Sequence, residues 1–344
     1  MILQSYGRTV NPATELLVTA GATQAIFTIL QALADKGDEV IVPAFTWVAT
    51  ANVVLYCGAT PVFIDVDPQT YNLDVAQITA KVTDRTRAVI AVHLFGRCVD
   101  MDALRAGLPA DVAIVEDAAC AAGASWNGKP SGSLGDVAAF SFHPRKSVTT
   151  GEGGMVTTAD AELAERMNQL RNHGATLSEE QRHHGPRPYL LPEFNLLGFN
   201  YRMTDLQGAV GLVQLGKLDG FIDERARWAE YYCDQLAGID WLRLPSAPAG
   251  GRHGWQAFVT YIDPAKAPMP RNDMMEILQA KGISTRPGTH AVHMLAYYRD
   301  RFGFNPEDFP GARDCNDHTM AIPLHNRMTA EDYAYVVDAI RQLG

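Results

Sequence analysis

The sequence has no apolar run that approaches the roughly 18 residues needed to cross a membrane. Its first dozen residues lack both the basic and the long apolar segment of a secretory signal. Cysteine is scarce, with five residues scattered along the chain and no C-x-x-C pair, which fits a reducing compartment and argues against a disulfide framework. The sequence has 29 Lys and Arg against 39 Asp and Glu. Because its net charge is negative, we do not expect the basic surface that binds nucleic acid. These absences predict a cytoplasmic globular protein without a membrane or nucleic-acid partner.

Several sequence motifs of common enzyme classes are also missing. There is no G-x-G-x-x-G after the first strand-like segment and no G-x-x-x-x-G-K-[ST], which disfavours dinucleotide and nucleoside-triphosphate enzymes. Neither H-E-x-x-H nor a cluster of His and Asp is present, so we expect no metal site. The adjacent His183 and His184 fit a solvated loop better than a metal-ligand pair.

Strand-like and helix-like segments alternate through the first two thirds of the sequence. RAVIAVHLF (87–95) and DVAIVEDAA (111–119) are apolar runs typical of strands that are buried on both faces. This recurrence predicts an α/β fold, with a mostly parallel, doubly wound sheet in a large domain. One long helix, predicted over 204–237 with kinks at Gly216 and Gly220, leads into a compact α+β segment. We therefore expect a large domain at 1–225 and a smaller C-terminal α+β domain at 226–344.

Two charged residues stand at the ends of predicted strands. Asp117 closes the apolar strand AIVED, at the edge where open α/β sheets bind ligands, and a buried acid there needs a cationic partner. Lys146 follows the strand FSFH in a loop of Ser, Thr and Gly. Alone, Asp117 could be a turn former and Lys146 a solvated loop residue. Together they match the needs of pyridoxal phosphate (PLP), whose ring nitrogen takes a carboxylate and whose aldehyde forms a Schiff base with lysine.

Other residues could hold the phosphate and the ring of this cofactor. Ala22 and Thr23 begin the first predicted helix, where free N–H groups and the positive end of the helix dipole attract an anion. Ser141, in the strand before Lys146, could add a further donor to the phosphate. Trp47 could stack on the ring, and the ordinary alternative is a tryptophan buried in the core.

Four segments carry a resemblance to known proteins. They are GATQAIFTILQALADKGDEVIVPAFTWVATANVVLYCGATPVFIDVD, VEDAACAAGASWNGKPSGSLGDVAAFSFHPRKSVTTGEGG, RNHGA and GFNYRMTDLQGAVGLVQL. They resemble the DegT/DnrJ/StrS family of PLP-dependent nucleotide-sugar aminotransferases, which have the aspartate-aminotransferase fold (fold type I). The resemblance extends from about residue 18 to the C-terminus, and FHPRK…TTGEGG and GFNYRMTD are its most specific motifs.

The resemblance implies a role for each candidate residue. Lys146 binds PLP covalently, Asp117 pairs with the pyridine nitrogen, and Trp47 stacks on the ring. The residues implied to contact the phosphate within the same chain are Ala22, Thr23 and Ser141.

Two further residues gain their interpretation from the family. Asn200 is implied to reach the phosphate of the neighbouring subunit, so that a homodimer shares its active sites. Cys120 occupies a position near the cofactor's 3-hydroxyl that is often Gln or His in the family, and we expect it to be a packing residue. The segment before GATQA is some tens of residues shorter than is usual in the family, and the usual segment lines the partner's substrate site.

The implied function is transfer of an amino group, with glutamate as donor, to a nucleotide-linked keto-sugar in amino-sugar biosynthesis. One alternative is a PLP-dependent sugar dehydratase, in which a histidine typically replaces the lysine, so Lys146 argues against it. Another alternative is a regulatory or sensor protein that keeps the fold without turnover. The sugar, the nucleotide and the ring carbon depend on side chains such as Arg187, Arg286 and His290, which the sequence does not place.

Overall fold

A computed structural model describes residue 11 and residues 15–344 of the chain. Its strands, in chain order, are β1 (Leu16–Thr19), β2 (Glu39–Pro43), β3 (Phe45–Thr46), β4 (Thr60–Ile64), β5 (Thr86–Val92), β6 (Ala113–Asp117), β7 (Ser125–Trp126), β8 (Lys129–Pro130), β9 (Val137–Ser141), β10 (Gly154–Thr158), β11 (Leu242–Arg243), β12 (Phe258–Ile262), β13 (His290–Ala291) and β14 (Thr319–Ile322).

The α-helices pack on both sheets. In chain order they are α1 (Ala22–Leu33), α2 (Ala49–Tyr56), α3 (Ile78–Lys81), α4 (Met101–Ala106), α5 (Ala161–Arg171), α6 (Glu179–His184), α7 (Asp205–Leu215), α8 (Leu218–Leu236), α9 (Arg271–Ala280), α10 (Ala296–Phe302), α11 (Pro310–His318) and α12 (Ala330–Arg341). Within the described residues, no helix combines the length and the apolarity that a bilayer crossing requires.

The main sheet has seven strands in the order β1-β10-β9-β6-β5-β2-β4. The five strands from β9 to β4 run parallel, while β10 and β1 form an antiparallel edge. Nearly every residue of the central strands is buried because helices cover both faces of the sheet, as their continuous apolar sequences predict. The predicted mostly parallel sheet is confirmed. Its geometry brings the carboxyl ends of β6 and β9 to one edge.

A second, antiparallel sheet has the order β11-β12-β14. Helices α8, α9 and α12 pack their apolar sides on it around a separate core that includes Tyr232, Phe258 and Tyr333. Helices α10 and α11 instead contribute Tyr298 and Cys315 to the core of the main sheet, although they lie far along the chain. The C-terminal part of the chain therefore packs on both cores, and the domain boundary at residue 225 stays a prediction.

The single long helix predicted over 204–237 is wrong in one respect. The structure contains two helices, α7 and α8, and the break lies at Gly216 and Lys217. Gly216 is the C-cap of α7, so the interruption falls at one of the two expected kinks, while Gly220 lies inside α8. The start of α7 is as expected, since Thr204 and Gln207 form a capping box.

Candidate active site

Three predicted site residues meet at the carboxyl edge of the main sheet. Asp117 is the last residue of β6, and Lys146 lies in the loop after the neighbouring parallel strand β9. The ammonium nitrogen Nζ of Lys146 lies 3.1 Å from Sγ of Cys120, three residues beyond Asp117. This edge is where open α/β sheets bind their ligands.

The carboxylate of Asp117 is buried, with 7% of the residue exposed. Its Oδ2 accepts a hydrogen bond from the hydroxyl of Thr50 at 3.1 Å, and its Oδ1 accepts one from the amide of Ala119 at 3.2 Å. Burial raises the pKa of Asp117, and these two donors together with the Lys146 ammonium oppose the rise without cancelling it. Among the described residues no cationic side chain is bonded directly to this carboxylate, and a protonated pyridine nitrogen would supply a cation.

Lys146 is half-buried beside Cys120 and Asp117. Burial alone would lower the pKa of its ammonium, but the sulphur of Cys120 and the carboxylate of Asp117 outweigh that effect, so the pKa is raised. The free lysine is therefore held as an ammonium. It must lose a proton before Nζ can act as a nucleophile or a base.

Two hydrogen bonds hold the backbone of the loop around Lys146. The amide of Lys146 donates to the carbonyl of His143 at 2.9 Å. The side chain of Gln256, just before β12 of the second sheet, donates to the carbonyl of Arg145 at 3.1 Å. A bond within the loop and a bond to the segment before β12 thus restrain the backbone around the lysine.

Thr50 is a site residue that the sequence analysis missed. Its hydroxyl lies 3.3 Å from that of Thr46 at the end of β3, and both residues are buried. The two threonines lie one helical turn apart in FTWVAT, and that spacing was the available signal. Trp47 lies between them and is 58% exposed, so the alternative of a core tryptophan is wrong. Its stacking on the cofactor ring stays a prediction.

The candidate phosphate residues converge at the start of α1. The helix begins at Ala22 without a side-chain cap, and Thr23 is exposed. Ser141 pairs with Gly154 in the β9–β10 ladder, and its hydroxyl accepts from the amide of His143 at 3.3 Å. A Cβ on Gly154 would lie 2.8 Å from the nitrogen of Ala22, so only glycine lets β10 pass this close to the helix start. The uncapped N–H groups and the Ser141 hydroxyl fit a phosphate.

Asn200 is exposed and forms an isolated antiparallel bridge with Asn172. The carbonyl of its neighbour Tyr201 accepts from the amide of Ala20 at 2.9 Å. The segment of Asn200 and Tyr201, called the Asn200 segment below, therefore runs beside the residues that precede α1 in its own chain. Its contribution to a partner's site stays a prediction.

The three candidate sugar contacts lie in different places. Arg187 is exposed in the loop between α6 and α7, and Arg286 is exposed with its backbone bridged to Ala321. His290 comes to the site, because β13 pairs with β3 and places the imidazole beside the indole of Trp47. In residue 11 and residues 15–344, no group of three or more His, Cys, Asp or Glu side chains could hold a metal ion.

Comparisons with known proteins agree with this geometry. The model of the DegT/DnrJ/EryC1/StrS aminotransferase family matches residues 10–341. The chain is 40% identical over 309 residues to GDP-perosamine synthase from Caulobacter vibrioides, which is 89% of this chain and 79% of that protein.

Two solved structures have the same fold. Spr1654 from Streptococcus pneumoniae in its PLP form is 26% identical with a TM-score of 0.87, over 95% of this chain and 86% of that one. DesI in the presence of its TDP-sugar product is 34% identical with a TM-score of 0.82, over 95% of this chain and 80% of that one. The predicted fold type I architecture is thereby confirmed, and the chain belongs to the DegT/DnrJ/EryC1/StrS aminotransferase family.

Proposed function

We propose that this chain transfers an amino group from glutamate to a nucleotide-linked keto-sugar in amino-sugar biosynthesis. The observation that carries the proposal is the meeting of Lys146 and the buried Asp117 at the carboxyl edge of the sheet. GDP-perosamine synthase and DesI, which was solved with its TDP-sugar product, are among the relatives of this chain. Both support a nucleotide sugar as the acceptor. PLP, predicted from the sequence as the cofactor, is confirmed by family membership and by the PLP form of Spr1654.

The residues at the site fit this cofactor. We assign Lys146 to its covalent attachment, Asp117 to its pyridine nitrogen and Trp47 to its ring face. The phosphate is assigned to the donors at the start of α1 and on β9, namely Ala22, Thr23 and Ser141. When bound, PLP supplies an electron sink for the charge that develops on the donor's α-carbon.

We assign Lys146 as the base for the reacting carbon, because the resemblance to the family attaches the cofactor to this residue. Its Nζ, once deprotonated, would be the group that moves a proton from the α-carbon of glutamate to the bound cofactor, where PLP would supply the electron sink. Asp117 would hold the pyridine nitrogen in its protonated form, because a buried carboxylate stabilises a cation that it contacts. Over both half-reactions glutamate becomes its 2-oxo acid, and the sugar exchanges its carbonyl oxygen for an amine and a hydrogen.

The shared-site homodimer is supported by an uncovered apolar helix. None of the eleven residues of α7, all of them described, is buried. Leu206 is 83% exposed and Leu212 67% exposed, and large exposed apolar patches mark interaction sites. Because α7 directly follows the Asn200 segment, a second copy seated on it would bring Asn200 to the partner's site.

Two other functions fit the site less well. A sugar dehydratase of this fold typically has histidine in place of Lys146, and a sensor would not need the Lys146–Asp117 pair. All five cysteines are free thiols, so we propose that the enzyme works in the reducing cytoplasm.

The test is turnover by the PLP-loaded protein with glutamate and a panel of GDP- and TDP-linked 3-keto- and 4-keto-sugars. We expect an amino-sugar nucleotide and the 2-oxo acid in equal amounts, detected by mass spectrometry, and none with Lys146→Ala. Loss of water from the sugar without amination would favour the dehydratase. No reaction with glutamate would favour the sensor and reject the proposed function.

A further inference from the structure

The structure places His290 on the face of a strand pair that leads into the active site. In the antiparallel pair of β13 and β3, His290 lies directly opposite Thr46. Residues directly opposite in such a pair project to the same face. The hydroxyl of Thr46 contacts Thr50 at 3.3 Å, and Thr50 in turn donates to Asp117 at 3.1 Å. The imidazole of His290 therefore stands on the side of the ladder that faces the buried carboxylate.

The imidazole also contacts an exposed aromatic ring. The ring centroids of His290 and Trp47 lie 5.7 Å apart with their planes at 30°. Both side chains are exposed, so together they form an aromatic rim at the site. This rim lies on the separate two-stranded sheet in which β3, which follows β2 along the chain, pairs with β13 from the C-terminal part.

The imidazole nitrogens of His290 have no hydrogen-bond partner in the part of the chain that the structure describes. His293, three residues on, differs because it is buried and its Nε2 lies 3.2 Å from the carbonyl of Pro306. A neutral imidazole offers one donor and one acceptor, and a sugar hydroxyl can satisfy either. The apolar face of Trp47 beside it suits the C–H face of a sugar ring. The carboxylates of an amino-acid donor would instead call for a permanent cation.

We propose that His290 is a specificity-determining residue that hydrogen-bonds a ring hydroxyl of the keto-sugar, with Trp47 beside it. This inference rests on the proposed function and adds to it a residue that recognises the keto-sugar acceptor. It requires that His290 act in the half-reaction with the sugar and not in the half-reaction with glutamate.

The two half-reactions can be measured separately by stopped-flow absorbance of the PLP-loaded protein. The variants are His290→Ala, His290→Gln, which keeps a donor and an acceptor, and His183→Ala as a control at an exposed histidine on α6. In His290→Ala we expect kcat/KM for the sugar half-reaction to fall about tenfold, the effect of one hydrogen bond. His290→Gln should regain part of this loss. The rate with glutamate should stay within about twofold of the wild type in all three variants.

A second arm uses sugar analogues that each lack one hydroxyl. The wild type should discriminate against one analogue by about tenfold, and His290→Ala should lose that discrimination. Equal losses in both half-reactions, or no loss in either, would overturn the inference, as would discrimination that survives in His290→Ala. A wild type that does not react with glutamate speaks against the proposed function itself. A fully active wild type with an unaffected His290→Ala speaks against this inference alone.

Discussion

The hydroxyl of Thr50, in the first turn of α2, donates a hydrogen bond to Oδ2 of Asp117 at the end of β6 over 3.1 Å. Both residues are buried, so water does not compete for this bond. The bond orients the carboxylate while it leaves the negative charge available to a cation. Thr50 is therefore a positioning residue that acts through Asp117.

Thr50→Val keeps the shape of the side chain and removes the donor. We expect the affinity for PLP to fall about fivefold to tenfold, since a buried carboxylate oxygen loses a partner. Thr50→Ser, the matched control, should bind PLP nearly as well as the wild type. Fluorescence titration of the cofactor-free proteins with PLP measures both values. Equal affinity in Thr50→Val and the wild type would contradict the positioning role.

Asp117→Asn preserves the shape of the carboxyl group and removes its charge. We expect kcat to fall by about 10²–10³, because the pyridine nitrogen then lacks the group that keeps it protonated. Steady-state transamination measures the loss. A fall of less than about threefold would show that Asp117 does not have this role.

The same variant has a consequence for stability in the cofactor-free protein. Burial raises the pKa of Asp117 in the folded state above its ordinary value of 3.8, so the folded state binds more protons than the unfolded state above that pH. The protonated Asp117 therefore stabilises the folded state at low pH. This stabilisation is lost as the pH rises through the raised pKa. In thermal melts, Asp117→Asn should gain in Tm relative to the wild type as the pH rises from 4 to 8. A constant difference would contradict the raised pKa.

Cys120 touches Lys146 but is not expected to react. Cys120→Ser keeps a small polar atom near Nζ and should retain a sizeable fraction of the activity. Cys120→Ala removes the sulphur that helps to raise the pKa of Lys146, so PLP should attach to the apo-protein at lower pH than in the wild type. Complete inactivation of Cys120→Ser with the cofactor still bound would mean that the thiol takes part in the chemistry.

The shared site predicts complementation between two inactive variants, Lys146→Ala and Asn200→Asp. The second variant places a repelling carboxylate at the phosphate. In a mixed dimer, the chain with an intact Lys146 receives an intact Asn200 from its partner, so one active site per heterodimer should return. Activity after verified subunit exchange is the measurement. If none returns, Asn200 acts within its own chain.

The sequence was sufficient to predict which residues meet at the site where their positions depend on the ends of strands. Asp117 and Lys146 close or follow apolar strands, and parallel neighbours must end at the same edge of a sheet, so their meeting could be predicted. The sequence predicted a kink at Gly216 but not a complete break between α7 and α8 there, because glycine is tolerated inside a helix as well as at its end.

The contacts between distant segments could not be predicted. Thr50 matters because α2 packs beside the end of β6, which no local pattern reveals. His290 reaches the site only through the pairing of β13 with β3, two short strands from opposite ends of the chain. Strands of two residues have no periodicity from which to predict their partner.

Covalent attachment of PLP to Lys146 is the claim on which the account depends most, and it can be tested without knowledge of the sugar. The PLP-loaded protein is reduced with borohydride, digested and mapped by mass spectrometry, with Lys146→Ala treated in parallel. The account predicts a pyridoxyl group on the peptide that contains Lys146 and none in the variant. A pyridoxyl group on another lysine, or a variant that still carries one and transaminates normally, would contradict it.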